Sequence, residues 1–172
     1  DGGALFGYAT VFWDRDAKYY TESGWRGSYK TEGGGVMINQ AIHTLDLLIQ
    51  FLGTPQTLCA TKANHHLKGV IEVEDTCEGM VKFENGKTAN FYTTTAFLGG
   101  NMTTIVFTTK NHTIMIQDNS VLYVDGNKID DPSLETKFVG KQVYGNGHDY
   151  TIKAFYSAIV NGGDVPVDLE SS

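Results

Sequence analysis

Hydrophobic and polar positions alternate between two periods along the chain. Residues 4–13 (ALFGYATVFW) are β-branched and aromatic and predict a strand. A polar, Tyr-rich loop is expected over 14–32, followed by Gly33-Gly34-Gly35 as a break. Over 36–52 the period turns helical. Ile38, Ile42, Leu45, Ile49 and Leu52 fall at i, i+4, i+7, i+11 and i+14, which predicts one continuous helix with one apolar stripe. Gly53 and Thr54-Pro55 supply its stop. Residues 57–63, 75–83, 88–97, 103–109, 113–117 and 120–124 then read as a meander of antiparallel strands. Asn85-Gly86 between two of these runs is a strong hairpin signal. Thr93, Thr94, Thr95, Thr103 and Thr104 suggest a polar, β-branched sheet face. A second helix is predicted over 149–161 from Ile152, Phe155, Tyr156 and Ile159, ended by Gly162-Gly163. This order predicts an α+β fold: a large open, mainly antiparallel sheet with helices packed on one face.

With 172 residues, 41% of them apolar, the chain can form one domain with its own core. Its net charge is −7 and its 13 basic residues are scattered, which argues against a phosphate-backbone partner such as nucleic acid. No apolar run approaches the roughly 18–20 residues that span a bilayer, so no membrane role is expected. Two cysteines, Cys59 and Cys77, make neither a disulfide scaffold nor a metal spacing, which suits a cytoplasmic protein without a metal site. The opening Asp1-Gly2-Gly3 and the close soon after Pro166 suggest part of a longer protein. No G-x-G-x-x-G follows a strand, so a nucleotide-binding domain would lie outside this chain.

The chemistry-bearing residues gather on the first helix. Asn39, His43, Asp46 and Gln50 form a second, polar stripe at i, i+4, i+7 and i+11. His43 can then be flanked by Asn39 and Asp46. A carboxylate beside an imidazole orients it and favours its charged form, which suits a general acid or base near neutral pH. An ordinary solvated helix face would carry the same residues. The triple glycine would let an anion or polar ligand approach the helix N-terminus. Just upstream, Trp25-Arg26-Gly27 offers a flat wall and a guanidinium fork, or alternatively a packed Trp and a surface ion pair. His65-His66 is a tandem pair in a polar loop, His112 sits in a turn, and His148 opens the second helix as a cap or a pocket residue.

Three stretches carry a resemblance: Tyr19 to Gly27 (YYTESGWRG), Glu32 to Leu48 (EGGGVMINQAIHTLDLL) and Tyr144-Gly145-Asn146-Gly147-His148. Together they closely resemble the C-terminal domain of the glucose–fructose oxidoreductase / inositol dehydrogenase / MocA family. The resemblance implies a parent whose N-terminal Rossmann domain binds NAD or NADP and carries a catalytic lysine. This chain would then be the substrate-binding and oligomerisation domain. His43 matches the family's active-site histidine. Asn39 stands where inositol-dehydrogenase-like members have an aspartate; it cannot act as a base but can hydrogen-bond a hydroxyl. Trp25 and Arg26 match positions lining the nicotinamide end of the cofactor and the substrate pocket. Tyr144 and His148 match a pocket-edge segment, and the family's closing helix would begin near Ser171. The resemblance implies a small-molecule sugar or polyol substrate and a homo-oligomer, dimer or tetramer, built through the sheet face. Two alternatives stay open: a non-catalytic sugar-binding or dimerisation module, and NAD-assisted glycoside hydrolysis.

Overall fold

The β-rich runs form strands because alternate residues meet a helix-covered face. A computed structural model describes residues 3–130 and 147–165. The strands are β1 (Ala4–Phe12), β2 (Pro55–Ala63), β3 (Thr76–Phe83), β4 (Thr88–Thr94), β5 (Met102–Thr109), β6 (Thr113–Gln117), β7 (Val121–Val124) and β8 (Asn127–Lys128). They make one eight-stranded sheet in the order β2-β3-β4-β1-β5-β6-β7-β8. The expected open, mainly antiparallel sheet is present, but it is not a simple meander. β1 lies between β4 and β5, parallel to β4 (Ala9 opposite Phe91) and antiparallel to β5 (Ala9 opposite Ile105). The chain must run from β1 through three helices and three strands before β1's second neighbour arrives, a long-range closure that no local pattern encodes.

The helices are α1 (Ala17–Thr21), α2 (Val36–Asn39), α3 (Ile42–Leu52) and α4 (Gly147–Asn161). α1 interrupts the expected 14–32 loop; the Asp16 carboxylate caps it by accepting from Tyr19 N–H at 2.9 Å. The single helix expected over 36–52 is two helices. Val36 C=O accepts from both Gln40 N–H (3.1 Å) and Ala41 N–H (2.9 Å), so the backbone widens by one residue at the break. That shift rotates the buried line. Ala41, Thr44, Leu48 and Leu52 are buried, whereas Ile38, Ile42 and Ile49 of the expected stripe are exposed and Leu45 is half-buried.

α3 packs on β1 and β5, and α2 on β3 and β4. The core between them holds Ala9, Leu48, Leu52, Phe83, Phe91, Ile105 and Phe107. Gly7 in β1 lets α3 settle this low: a Cβ there would stand 2.9 Å from Val106 O and 3.3 Å from Leu48 Cδ1. At the far end of α3, Asn85 of the β3–β4 turn donates to Leu52 C=O at 2.6 Å, tying the helix terminus to the Asn-Gly hairpin.

Of the five threonines expected on an exposed face, Thr93, Thr94, Thr95 and Thr103 are buried and Thr104 is half-buried. Thr93 donates to Cys77 C=O at 3.0 Å, and Thr94 pairs with Thr76 at 2.8 Å. The sheet surface left uncovered carries Tyr8, Met80 and Tyr92 instead.

The chain divides into two compact units, Asp1–Ile129 and Asp130–Ser172. In the second, α4 forms where the periodicity predicts it, with an i,i+4 ion pair between Asp149 and Lys153 at 2.7 Å. Tyr144 and the helix expected from Ser171 lie outside the described residues. Among the described residues no helix is long and apolar enough to cross a membrane.

Candidate functional site

Three acidic residues, none singled out by the sequence pattern, build the region around α2. Glu32 is the first. Its Oε2 accepts from Gly27 N–H at 2.6 Å and its Oε1 from Asn39 Nδ2 at 2.6 Å. One carboxylate therefore joins the Trp25-Arg26-Gly27 loop to the last residue of α2. A carboxylate only accepts, so this bond fixes the Asn39 amide with its NH2 toward Glu32 and leaves Oδ1 to receive a donor.

Glu72 pins the same loop from the other side. Its N–H donates to Gly27 C=O at 2.7 Å, and its carboxylate accepts from the Ser28 hydroxyl at 3.0 Å. Glu74, buried, accepts from Gly35 N–H at 2.9 Å and Met37 N–H at 3.3 Å, while its C=O accepts from Val36 N–H at 3.0 Å. The helix N-terminus beside the triple glycine is thus filled by the protein's own carboxylate, not open to a ligand anion as the glycines suggested. Gly35 has a different reason to be glycine. A Cβ on it would stand 1.9 Å from Glu74 O.

Arg26 is half-buried, with its guanidinium 4.3 Å from the Tyr19 ring centroid and 4.6 Å from that of Trp25. Its Nε is buried without a hydrogen-bond partner, and it makes no ion pair among the described residues. A guanidinium stacked by its faces keeps its donor edge for a ligand. Trp25 is 47% exposed, so the ring is a wall, not a core residue.

His43 is the second residue of α3 and is exposed. The α2–α3 break falls between it and Asn39, so the regular helical spacing of the polar stripe is not kept. Nor does Asp46 serve the imidazole. Asp46 Oδ2 accepts from Gln50 Nε2 at 2.7 Å, a bond one turn along the helix. The expected His43–Asp46 couple is replaced by an amide–carboxylate pair, and His43 faces outward.

The remaining histidines have other uses. His65, His66 and Leu67 donate backbone N–H groups to the fully buried Asp75 at 2.8–3.2 Å, and Thr76 adds its hydroxyl at 2.9 Å. Burial pushes the Asp75 carboxyl up. The amides of His65 and His66, the Thr76 hydroxyl and the Leu67 amide outweigh that and hold it below the ordinary range. His112 meets Asp125 at 2.8 Å, and that bond with the Thr113 amide holds Asp125 low as well. His148 is the second residue of α4, exposed, in the second unit. Among the described residues no group of three or more His, Cys, Asp or Glu is arranged to hold a metal ion.

The family model of the GFO/IDH/MocA C-terminal domain matches residues 3–114. No curated protein matches the chain. Among solved structures, the WlbA dehydrogenase from Chromobacterium violaceum, in complex with NADH and UDP-GlcNAcA, is 30% identical with a TM-score of 0.61. That match covers 67% of this chain and 33% of the other. The WlbA dehydrogenase from Bordetella pertussis, with the same two ligands, is 21% identical over 99% of this chain and 49% of its own, at a TM-score of 0.76. Levoglucosan dehydrogenase in complex with NADH and levoglucosan is 20% identical over 96% of this chain and 51% of its own, also at 0.76. The chain therefore spans about a third to a half of the length of these relatives.

Proposed function

The chain belongs to the GFO/IDH/MocA family through its C-terminal domain, and from that premise we propose that it is the substrate-binding half of an NAD(P)-dependent oxidoreductase acting on a hydroxyl group of a sugar or polyol. The observation that carries the reading is Glu32. It couples the Trp25-Arg26 loop to Asn39, next to the helix that presents an exposed His43. A polar amide of fixed orientation, an unpaired guanidinium and a titratable imidazole are what binding and oxidising a hydroxylated carbon require.

The residues fit one end of a nicotinamide cofactor and not the whole of it. The sheet is mainly antiparallel and, among the described residues, has no glycine-rich strand-to-helix turn, so the dinucleotide would be held elsewhere. Trp25 and Arg26 would meet its nicotinamide end, where the ring, when bound, accepts hydride from carbon. The work of this chain is orientation and proton handling. Asn39 Oδ1 accepts a substrate hydroxyl, Arg26 donates to a neighbouring oxygen, and an imidazole nitrogen of His43 takes the proton as the carbonyl forms. The His148 imidazole and the Tyr144 phenol are pocket-edge assignments made by resemblance alone.

The uncovered sheet face with Tyr8, Met80 and Tyr92 supports a homo-oligomeric contact. A non-catalytic sugar-binding module is favoured by one observation, the engagement of Asp46 with Gln50 in place of His43. One experiment separates the two readings. In the full-length protein, sugars and polyols are screened for a change in reduced-nicotinamide absorbance, and His43→Ala is compared with wild type. The enzyme reading expects turnover that falls by roughly 10²-fold in the variant. Binding without any turnover would leave the module.

A further inference from the structure

The turn between β3 and β4 carries a pair of residues with chemistry of their own, and the fold uses one of them as a tertiary contact. Asn85-Gly86 is exposed. Gly86 sits in the left-handed region at φ 81°, with open space where a Cβ would lie. A glycine after an asparagine has no side chain to hinder its own backbone nitrogen from reaching the preceding amide carbon.

The reaction open to this pair needs only water. Solvent hydroxide takes the proton of Gly86 N–H, and that nitrogen attacks Asn85 Cγ. The new N–C bond closes a five-membered succinimide, the Cγ–Nδ2 bond breaks, and the amide nitrogen leaves as ammonia with a proton from water. A second water opens the ring to an aspartate or an isoaspartate. The net change is one water in and one ammonia out.

In the folded chain both reacting groups are held. Gly86 N–H donates to Phe83 C=O at 2.9 Å. Asn85 Nδ2, the leaving group, donates to Leu52 C=O at the end of α3 at 2.6 Å, and Asn85 Oδ1 accepts from Lys87 N–H at 3.1 Å. The side-chain amide is thus fixed from both sides. Asn161-Gly162, the other such pair within the described residues, lacks a tie between elements: Asn161 Nδ2 donates to Ser157 Oγ, one turn back in its own helix, at 3.1 Å.

The product cannot remake the contact. A carboxylate has no N–H for Leu52 C=O, and it sets a negative charge against the negative end of α3. We propose that Asn85-Gly86 is a deamidation site gated by the docked end of α3. It reacts when that end opens, and the product then disfavours closing. Gly53 adjoins the gate. It stands at φ 109°, and a Cβ on it would lie 2.9 Å from Asn85 Nδ2. The inference is independent of the dehydrogenase reading, since no cofactor or substrate enters it.

The test incubates the 172-residue chain at mildly alkaline pH, once in buffer and once in urea that unfolds it. Conversion at Asn85 is read by peptide mass mapping and isoaspartate content. It should be roughly tenfold or more slower in the folded chain, the scale of opening one or two hydrogen bonds. Gly53→Ala displaces the Asn85 amide and should bring the folded rate toward the unfolded one. If circular dichroism shows that variant unfolded, the wild-type comparison decides alone. Asn85→Asp installs the product directly. It should unfold at lower urea than wild type at neutral pH, and the difference should shrink as pH falls below about 4 and the new carboxyl is protonated. Four results would each overturn the assignment: equal rates in folded and unfolded chain, no conversion in the unfolded chain, a folded Gly53→Ala that reacts no faster than wild type, or an Asn85→Asp midpoint unchanged from wild type.

Discussion

Glu32 Oε1 accepts from Asn39 Nδ2 at 2.6 Å while the other oxygen of the same carboxylate holds Gly27 N–H at the same distance. One carboxylate therefore sets the position of the Trp25-Arg26-Gly27 loop relative to Asn39. Glu32→Gln keeps the shape but puts an NH2 against one of two donors. We expect a loss of about 1–2 kcal/mol in urea unfolding, because one buried donor is left without an acceptor. In the full-length protein the same change should raise KM for substrate more than it lowers kcat. Unchanged stability together with unchanged KM would remove Glu32 from this role.

Gly35 and Gly24 make a matched pair. A Cβ on Gly35 would sit 1.9 Å from Glu74 O, whereas nothing lies within 4 Å of one built on Gly24. Gly35→Ala must push apart the backbone that carries Glu74, Asp75 and the start of α2. It should cost about 3 kcal/mol or more. Gly24→Ala should stay within about 0.5 kcal/mol of wild type. Thermal or urea melts of the two proteins check the contrast, and similar losses in both would contradict the close approach.

The phase of α3 can be tested the same way. Leu48→Ala empties a fully buried position beside Gly7 and should cost about 2–5 kcal/mol. Ile49→Ala and Ile42→Ala, on the exposed line, should each cost less than about 1 kcal/mol. The reverse ranking in denaturant midpoints would restore the unbroken helix that the spacing predicts.

That contrast also explains what could be read in advance. The strand runs and the Asn85-Gly86 hairpin are local signals, and the structure has them near the expected positions. The antiparallel sheet with helices on one face followed from their order. The buried line of α3 did not, because Ala41 and Thr44 are small or polar and carry little weight in a hydrophobic pattern, while a one-residue widening at Gln40 turns the larger isoleucines outward. The parallel β1–β4 pairing joins segments far apart in the chain, for example Ala9 with Phe91, and leaves no local mark. At the site, Trp25, Arg26, Asn39 and His43 stand out by type and neighbourhood. Glu32, Glu72 and Glu74 do not, since an acidic residue in a loop reads as solvated until its partners are known. Glu74, for one, meets Gly35 and Met37, which are distant in sequence.

Asp75 gives a pH prediction with a definite sign. It is fully buried and accepts from three backbone amides and the Thr76 hydroxyl. Burial alone would raise its pKa, and these donors reverse the direction, so the folded value lies below the ordinary 3.8. A carboxyl with a depressed folded pKa stabilises the fold above its unfolded value, and that contribution is lost as pH falls through the folded value. Asp75→Asn removes the charge and turns an NH2 toward amide donors, so at neutral pH it should cost about 3 kcal/mol. The gap between wild type and variant should stay constant from neutral pH down to near 3.8 and narrow below it. Urea unfolding of both proteins across that range measures the gap directly. A gap that widened on acidification would mean that the folded protein binds the proton more tightly than the unfolded chain, and the amide nest around Asp75 would not be what holds its charge.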